Sequence, residues 1–416
     1  MEPTSTVPPA APERQRRKHV PFLAASATSL LLIAVFGALL FVHRDDPRSV
    51  KRLYQPLLAG AISLYVLALV VYLAARGGLG WKLGLPLLLI TWLGIERFAT
   101  PHLAIGLQMR DYLALQDPDH RPQRTSRKQG WNSDSLRCPH EARAFTKSDL
   151  NIVFLGDSFT YGMKLEPEQC FPAGVERRLR KKFPEADIKV ANFGWTSSSP
   201  ILSWRRLVDI GDKYSPDLVV MCVDMTDLRD DIRWSQMLAG KGLFAFYDTI
   251  PITMQALRSA WPWMFWKVYQ VANPDLPRAR YFMSEAPLEE TRQYGATIID
   301  SLNKIDAWCL ERGAAFMVIV LPRTYQYSDR ESPENWEARH YTVLGPHSLE
   351  PFRFFEELAL EVDYPIHSLL DTFRDTDIFP TSFSDDPHWN PAGADLAAGA
   401  ITRLLRKSVR ERLATK

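Results

Sequence analysis

The sequence contains no Cys-x-x-Cys pair. Its four cysteines, Cys138, Cys170, Cys222 and Cys309, are scattered over 416 residues. That absence argues against a structural zinc site or a redox dithiol. Cys222 sits in an apolar strand pattern and Cys309 in a helical one, so both are expected in the core. Cys138 and Cys170 flank the first strand, in loop-like sequence, and are expected to pair as a disulfide if the domain lies in an oxidising compartment. A charge excess is missing too. The formal net charge is +2, so there is no electrostatic footprint for nucleic acid, and no nucleic-acid partner is expected. No internal repeat is visible, which excludes a solenoid or propeller.

Charge is also absent locally, and there it is informative. Residues 1–20 are rich in Pro, Ala and charge and end in Arg14, Arg16, Arg17 and Lys18. They read as a disordered cytoplasmic tail. Pro21 to Val42 and Pro56 to Ala75 then carry no charged residue, and each is long enough to span a bilayer. Gly78 to Ile95 is a weaker third stretch, with Lys82 near its start able to snorkel. The first stretch is followed by His43-Arg44-Asp45-Asp46 and not by a small-residue cleavage site, which favours an uncleaved span over a signal peptide. The expectation is a membrane region over 21–99 with two to three transmembrane helices. With three spans, everything after about Arg97 lies outside the cytoplasm. With two, the same domain lies inside. Three is the favoured count, giving a multi-pass protein of the cell membrane with an extracytoplasmic domain. Residues 100–147 read as a polar linker.

The rest of the chain is organised around Asn151 to Gly162, NIVFLGDSFTYG. Asn151 to Leu155 is a buried strand pattern that stops at Gly156, with Asp157 and Ser158 next. Phe171, Val175 and Leu179 then recur at helical spacing. A serine just past a strand end in an α/β unit is a nucleophile candidate, because reactive groups gather at the carboxyl ends of such strands. Further strands are expected over Ile188 to Asn192, Asp217 to Val223, Ala315 to Leu321 and Pro365 to Leu369. Helices are expected over Pro200 to Tyr214, Glu289 to Arg312, Leu349 to Val362 and Ala394 to Lys407. That alternation predicts a central parallel sheet covered on both faces. Leu228 to Pro287 breaks the rhythm as an insert. It carries the aromatic cluster Trp261-Pro262-Trp263-Met264-Phe265-Trp266, which is either a lid packed on the domain or a surface for a bilayer or an acyl chain.

The second dense stretch is Asp385-Asp386-Pro387-His388-Trp389-Asn390-Pro391-Ala392-Gly393, with Asn390 and Pro391 placed as N-cap and first-turn proline of the last helix. A tight turn here would let the Asp385 carboxylate hold one ring nitrogen of His388. The other would be free to take a proton from Ser158.

Together these blocks resemble the SGNH/GDSL hydrolase superfamily. Gly156-Asp157-Ser158 matches its first block, and Asp385-x-x-His388 matches its last. The extended forms are most similar to membrane-anchored bacterial members and to domains of alginate-type O-acetyltransferases. The resemblance covers roughly Ser148 to Arg406 without the insert. It implies N-terminal transmembrane helices followed by a three-layer α/β/α (flavodoxin-like) domain over 148–416. It also implies a Ser158, His388, Asp385 triad and no metal or organic cofactor. Two blocks depart from the family pattern. The second-block glycine falls at Ser197, with Gly194 nearby. In the third block Thr226 replaces an Asn that normally faces the oxyanion, and Asp224 stands close by. The expected oxyanion hole is therefore built from Ser158, Ser197, Gly194 and Thr226. The expected activity is hydrolysis of O-acyl, chiefly acetyl, esters on cell-envelope carbohydrate or lipid. The alternatives are an O-acyltransferase on an exported polysaccharide, fed by a multi-span acyl-donor partner, and a non-catalytic glycan-binding domain.

Overall fold

The computed structural model describes residues 131–240 and 250–415, with scattered helical positions between 27 and 96. Among these described residues no helix is long and apolar enough to cross a membrane. The three expected spans lie mostly outside the described residues. The chain divides into two compact units, Met1–Gln116 with Gly240–Asn273, and Asp117–Ala239 with Pro274–Lys416.

The second unit is an α/β domain. In chain order it runs β1 (Leu150–Leu155), α1 (Phe171–Lys182), β2 (Ile188–Asn192), α2 (Pro200–Ile210), β3 (Leu218–Val223) and α3 (Asp227–Leu238). The first unit then contributes α4 (Pro251–Ala260) and α5 (Pro262–Ala272). The α/β domain resumes with α6 (Ala296–Glu311), β4 (Ala315–Val320), α7 (Glu350–Leu358), β5 (Ile366–Ser368), the short strands β6 (Ser382–Phe383) and β7 (Asp386–Trp389), and α8 (Pro391–Ala414).

The five strands of the main sheet are parallel, in the order β2-β1-β3-β4-β5. β1, β2 and β3 are buried along their whole length, as a strand covered on both faces must be. Successive side chains point to opposite faces. Val153, Leu155, Val219 and Met221 therefore pack with Leu207 of α2, Ile298 and Leu302 of α6, and Phe355 of α7. Ile152, Phe154, Val220 and Cys222 pack the other way, with Val175 and Leu179 of α1 and Ile401 and Leu405 of α8. The result is the expected three-layer sandwich. The chain leaves β1 for β2 on one side and returns to β3 on the other. The carboxyl ends of β1 and β3 therefore form a topological switch point, where a crevice opens.

Four expectations are corrected. Cys138 and Cys170 are free and buried. Cys138 belongs to the α2/α6 side of the sheet, whereas Cys170 packs with Leu165 and Ala394, so the two thiols do not meet. The end of the expected linker belongs to the domain: Leu136, Cys138 and Phe145 are core residues, and Asn132 Nδ2 donates to the Tyr214 hydroxyl at 2.8 Å. The long helix expected over Glu289 to Arg312 is interrupted at Arg292–Gly295. There the backbone of Gly295 comes so close to the Phe354 ring that a Cβ would lie 2.3 Å from it. Finally, the first residues of the expected insert form α3, which contributes Leu228 to the core.

Candidate active site

β1 ends at Gly156, whose φ of +151° lies in a region that only glycine occupies at ease. A Cβ there would lie 2.8 Å from the Cys222 carbonyl of β3. The turn it permits begins a one-turn helix, Ser158–Tyr161, with Asp157 as N-cap: the Asp157 carboxylate accepts from the Phe159 N–H at 2.9 Å. Ser158 thus sits on a rigid corner at the carboxyl end of a central strand.

His388 arrives from 230 residues away, on β7 of a two-stranded antiparallel hairpin. Its Nε2 lies 2.7 Å from Ser158 Oγ. The ring leans on Phe159, centroid to centroid 4.9 Å, and the next residue, Trp389, stacks on Phe373 at 4.6 Å. Nδ1 is hydrogen-bonded to the Asp386 carboxylate, which also accepts the His388 N–H at 3.1 Å. Burial pushes the Asp386 carboxyl up, but the hydrogen bond and charge of His388 prevail and hold it below its ordinary value. An ionised Asp386 on Nδ1 leaves Nε2 to accept a proton.

This geometry corrects the expected role of Asp385. The segment is a strand and not a turn, so residues two apart share a face. Asp386 and His388 are such a pair. Asp385 falls in the hairpin loop, half exposed, and bonds Lys164 Nζ at 2.7 Å. That lysine holds the Asp385 carboxyl below its ordinary value.

The hairpin is braced from the loop after β4. The buried Glu331 carboxylate accepts from both the N–H and the hydroxyl of Thr381 and of Ser382, with Thr381 at 2.6 and 2.8 Å. Ser332 Oγ lies 3.0 Å from the Asp386 carbonyl. Neither residue belongs to a recognisable motif, and sequence reasoning missed both.

The structure does not bring the four expected oxyanion donors together. The Gly194 N–H is committed to Asn192 Oδ1 at 2.9 Å. Gly194 is there because of close packing: a Cβ would lie 2.4 Å from the Tyr161 nitrogen. Thr226 gives both its N–H and its hydroxyl proton to Asp224 Oδ1, each at 2.6 Å. By contrast, the N–H groups of Ser158 and Ser197 have no acceptor among the described residues. Ser197 adopts φ +57°, a left-handed conformation that suits glycine better.

Asp224 is not an uncompensated charge beside the serine. Arg323, fully buried, donates to it at 2.8 Å and to Glu337, whose carboxylate also takes the Tyr281 hydroxyl. Burial raises the Asp224 carboxyl, but Arg323 and Thr226 outweigh it and keep it ionised. Asp157 and Asp227 are shifted the other way. Burial and the Asp224 carboxylate push Asp157 up to about 6, and burial with Asp157 and Asp224 pushes Asp227 well above its ordinary value. Asp157 Oδ2 also lies 3.1 Å from Ser158 Oγ. The carboxylates of Asp157, Asp224 and Asp227 lie within 4.8 Å of one another, but with Arg323 already on Asp224 they are not set for a cation.

No family model matches the chain. No curated protein matches it either. Solved structures do. One is a two-domain esterase active on acetylated mannans, co-crystallised with mannopentaose, at 18% identity and TM-score 0.34 over 64% of this chain, and the match spans 50% of that protein's length. A second is an acetyl xylan esterase at 13% identity and TM-score 0.34, over 62% of this chain and 100% of the other. A third is a catalytic mutant of an acetylxylan esterase from Geobacillus stearothermophilus at 16% identity and TM-score 0.34, over 62% and 95%. At such distances the chemistry rests on the site itself.

Proposed function

We propose that the protein is a serine ester hydrolase of the SGNH type. The observation that carries this reading is the hydrogen-bonded chain Ser158 Oγ, His388 Nε2, His388 Nδ1, Asp386, assembled at the switch point of a parallel sheet from segments 230 residues apart. A serine hydroxyl becomes a useful nucleophile when such a base adjoins it.

Ser158 Oγ attacks the carbonyl carbon of an ester, and its proton passes to His388 Nε2. Asp386 holds the imidazolium through Nδ1. The tetrahedral oxyanion is received by the N–H groups of Ser158 and Ser197. The C–O bond to the alcohol breaks as His388 returns the proton to the leaving oxygen. A water molecule, deprotonated by the same nitrogen, then resolves the acyl-enzyme. Two donors in place of three make a weaker hole, since one donor is worth about a hundred- to a thousand-fold in rate. Slow turnover relative to a complete site is expected.

The substrate class we propose is an O-acetylated carbohydrate or lipid of the cell envelope, with the domain anchored by the apolar stretches before residue 99. What supports this is the motif resemblance together with those uncharged stretches. The test is hydrolysis of p-nitrophenyl acetate by the purified protein beside Ser158→Ala and His388→Ala. Hydrolysis that disappears in both supports the reading. Undiminished turnover in Ser158→Ala ends it. Transfer of the acetyl group to an added oligosaccharide, in place of release to water, would reassign the protein as an O-acyltransferase.

A further inference from the structure

Helices α4 and α5 interrupt the α/β domain in sequence and group with the N-terminal apolar region in one compact unit. The start of α4 is tied to that region by a specific device. The Glu96 carboxylate is buried and accepts from the N–H of Ile252 at 2.8 Å and the N–H of Thr253 at 2.7 Å. Trp92 Nε1 donates to Thr253 Oγ1 at 2.9 Å. A carboxylate on the first free N–H groups of a helix both caps it and complements its dipole. Glu96 is the first residue after the third apolar stretch, which ends at Ile95. The cap therefore fixes α4 at the end of that stretch.

α5 follows directly. Phe265 and Tyr269 are buried and stacked with centroids 6.2 Å apart. Beside them runs an apolar row that no described residue covers. Trp261, Met264, Val268 and Val271, spaced three, four and three, are 46%, 38%, 49% and 78% exposed, and Trp263 is 70% exposed. A single exposed apolar side chain needs no explanation, but four on one eleven-residue helix and a fifth at its N-cap mark an interaction surface. The composition points to one kind of partner. Indole rings prefer the headgroup level of a bilayer, and the exposed Lys267 suits anionic headgroups.

We propose that α5 lies in the plane of the bilayer interface, its Trp261–Val271 row inserted at the headgroup–acyl boundary. This rests on the membrane-anchored reading of the N-terminal stretches. Glu96 then sets the height of the helix pair, because it clamps α4 where the third stretch leaves the bilayer.

The four native cysteines are buried, so a thiol-reactive fluorophore reports an introduced position. Full-length Val271→Cys and Leu360→Cys are labelled with an environment-sensitive dye and reconstituted into phosphatidylcholine–phosphatidylglycerol vesicles. Leu360 is 87% exposed and lies in the α/β domain. Flotation with the vesicles and resistance to carbonate extraction are checked first. The expected result is a blue-shifted label at position 271, quenched more by a nitroxide at a shallow acyl position than by one near the chain end, as insertion by about 5–10 Å requires. The label at 360 stays water-like and unquenched. Failure to float overturns the membrane reading and this inference together. Flotation with a water-like label at 271 overturns the inference alone. A blue-shifted label at 271 that lipid nitroxides do not quench also overturns it, and assigns the row to a protein contact.

Discussion

Replacing Asp386 and Asp385 separately, each by Asn, distinguishes the observed hairpin geometry from the Asp-x-x-His spacing that the sequence suggests. Asp386 accepts from His388 Nδ1 and from the His388 N–H, and its carboxyl is held low by that ring. An Asn amide at 386 would present either a donor to Nδ1, favouring the tautomer with the proton on Nε2, or a neutral oxygen that no longer stabilises the imidazolium. Loss of the tautomer in a comparable arrangement costs about 10⁴-fold in kcat. For Asp386→Asn the expected loss is therefore about 10³–10⁴-fold, or roughly 4–5.5 kcal/mol of transition-state stabilisation. Asp385 is half exposed and among the described residues pairs with Lys164, and an exposed ion pair is worth about 0–1 kcal/mol. Asp385→Asn should leave kcat within about fivefold of the wild type by the same arithmetic. The assay is initial-rate hydrolysis of p-nitrophenyl acetate, with circular dichroism to check folding. A loss in Asp385→Asn equal to that in Asp386→Asn would refute the strand-face argument.

Other predictions follow from the same contacts. Thr226→Val should lower the melting temperature but reduce kcat by less than the hundred-fold expected of an oxyanion donor, because the hydroxyl proton already belongs to Asp224; a hundred-fold loss in steady-state kcat would return Thr226 to the hole. Ser197→Gly should keep activity and stabilise the fold by about 1 kcal/mol, since it relieves a left-handed φ of +57°; thermal unfolding should show a rise of about 2–4 °C for a domain of this size. Glu331→Ala should destabilise by about 2–4 kcal/mol, since it removes a buried charged acceptor of four hydrogen bonds and leaves their donors unmet. Denaturant unfolding measures that loss, and Glu331→Gln should recover part of it. Asp157 is raised to about 6 when folded, so the native state holds its proton more tightly than the unfolded chain does. Its contribution is fully present below about pH 4 and is lost as pH rises through about 6. The Asp157→Asn variant should lack that decline, so its melting temperature should gain on the wild type's as pH rises from 4 to 7, and a flat difference across this range would contradict the assignment.

The sheet was legible because its central strands are apolar on both faces, so short runs such as Leu218 to Val223 and Ala315 to Val320 stand out without any alternation. Ser158 was legible for a related reason: the run stops abruptly at a glycine. The His388 partner was not. Ser382–Phe383 and Asp386–Trp389 are very short strands and contain Asp, Pro and His, residues that signal a turn more than a strand. Only the hairpin register places Asp386 on the ring and Asp385 in solvent. Arg323 and Glu331 were invisible because they reach the site from a long loop after β4, where no spacing ties them to partners fifty or more residues away, Asp224 and Thr381. The interruption at Arg292–Gly295 was hidden likewise, since the ring that Gly295 packs against, Phe354, lies on another helix.

The most direct test of the central claim is covalent. A fluorophosphonate probe reacts with a serine only when a neighbouring base activates it and its oxygen can reach the phosphorus. The full-length protein, treated with the probe at pH 7.5 and digested for mass spectrometry, should carry one adduct, on Ser158. Labelling should vanish in Ser158→Ala and fall sharply in His388→Ala. An unlabelled Ser158 in folded protein, or labelling at Ser158 that proceeds equally well without His388, would contradict the account.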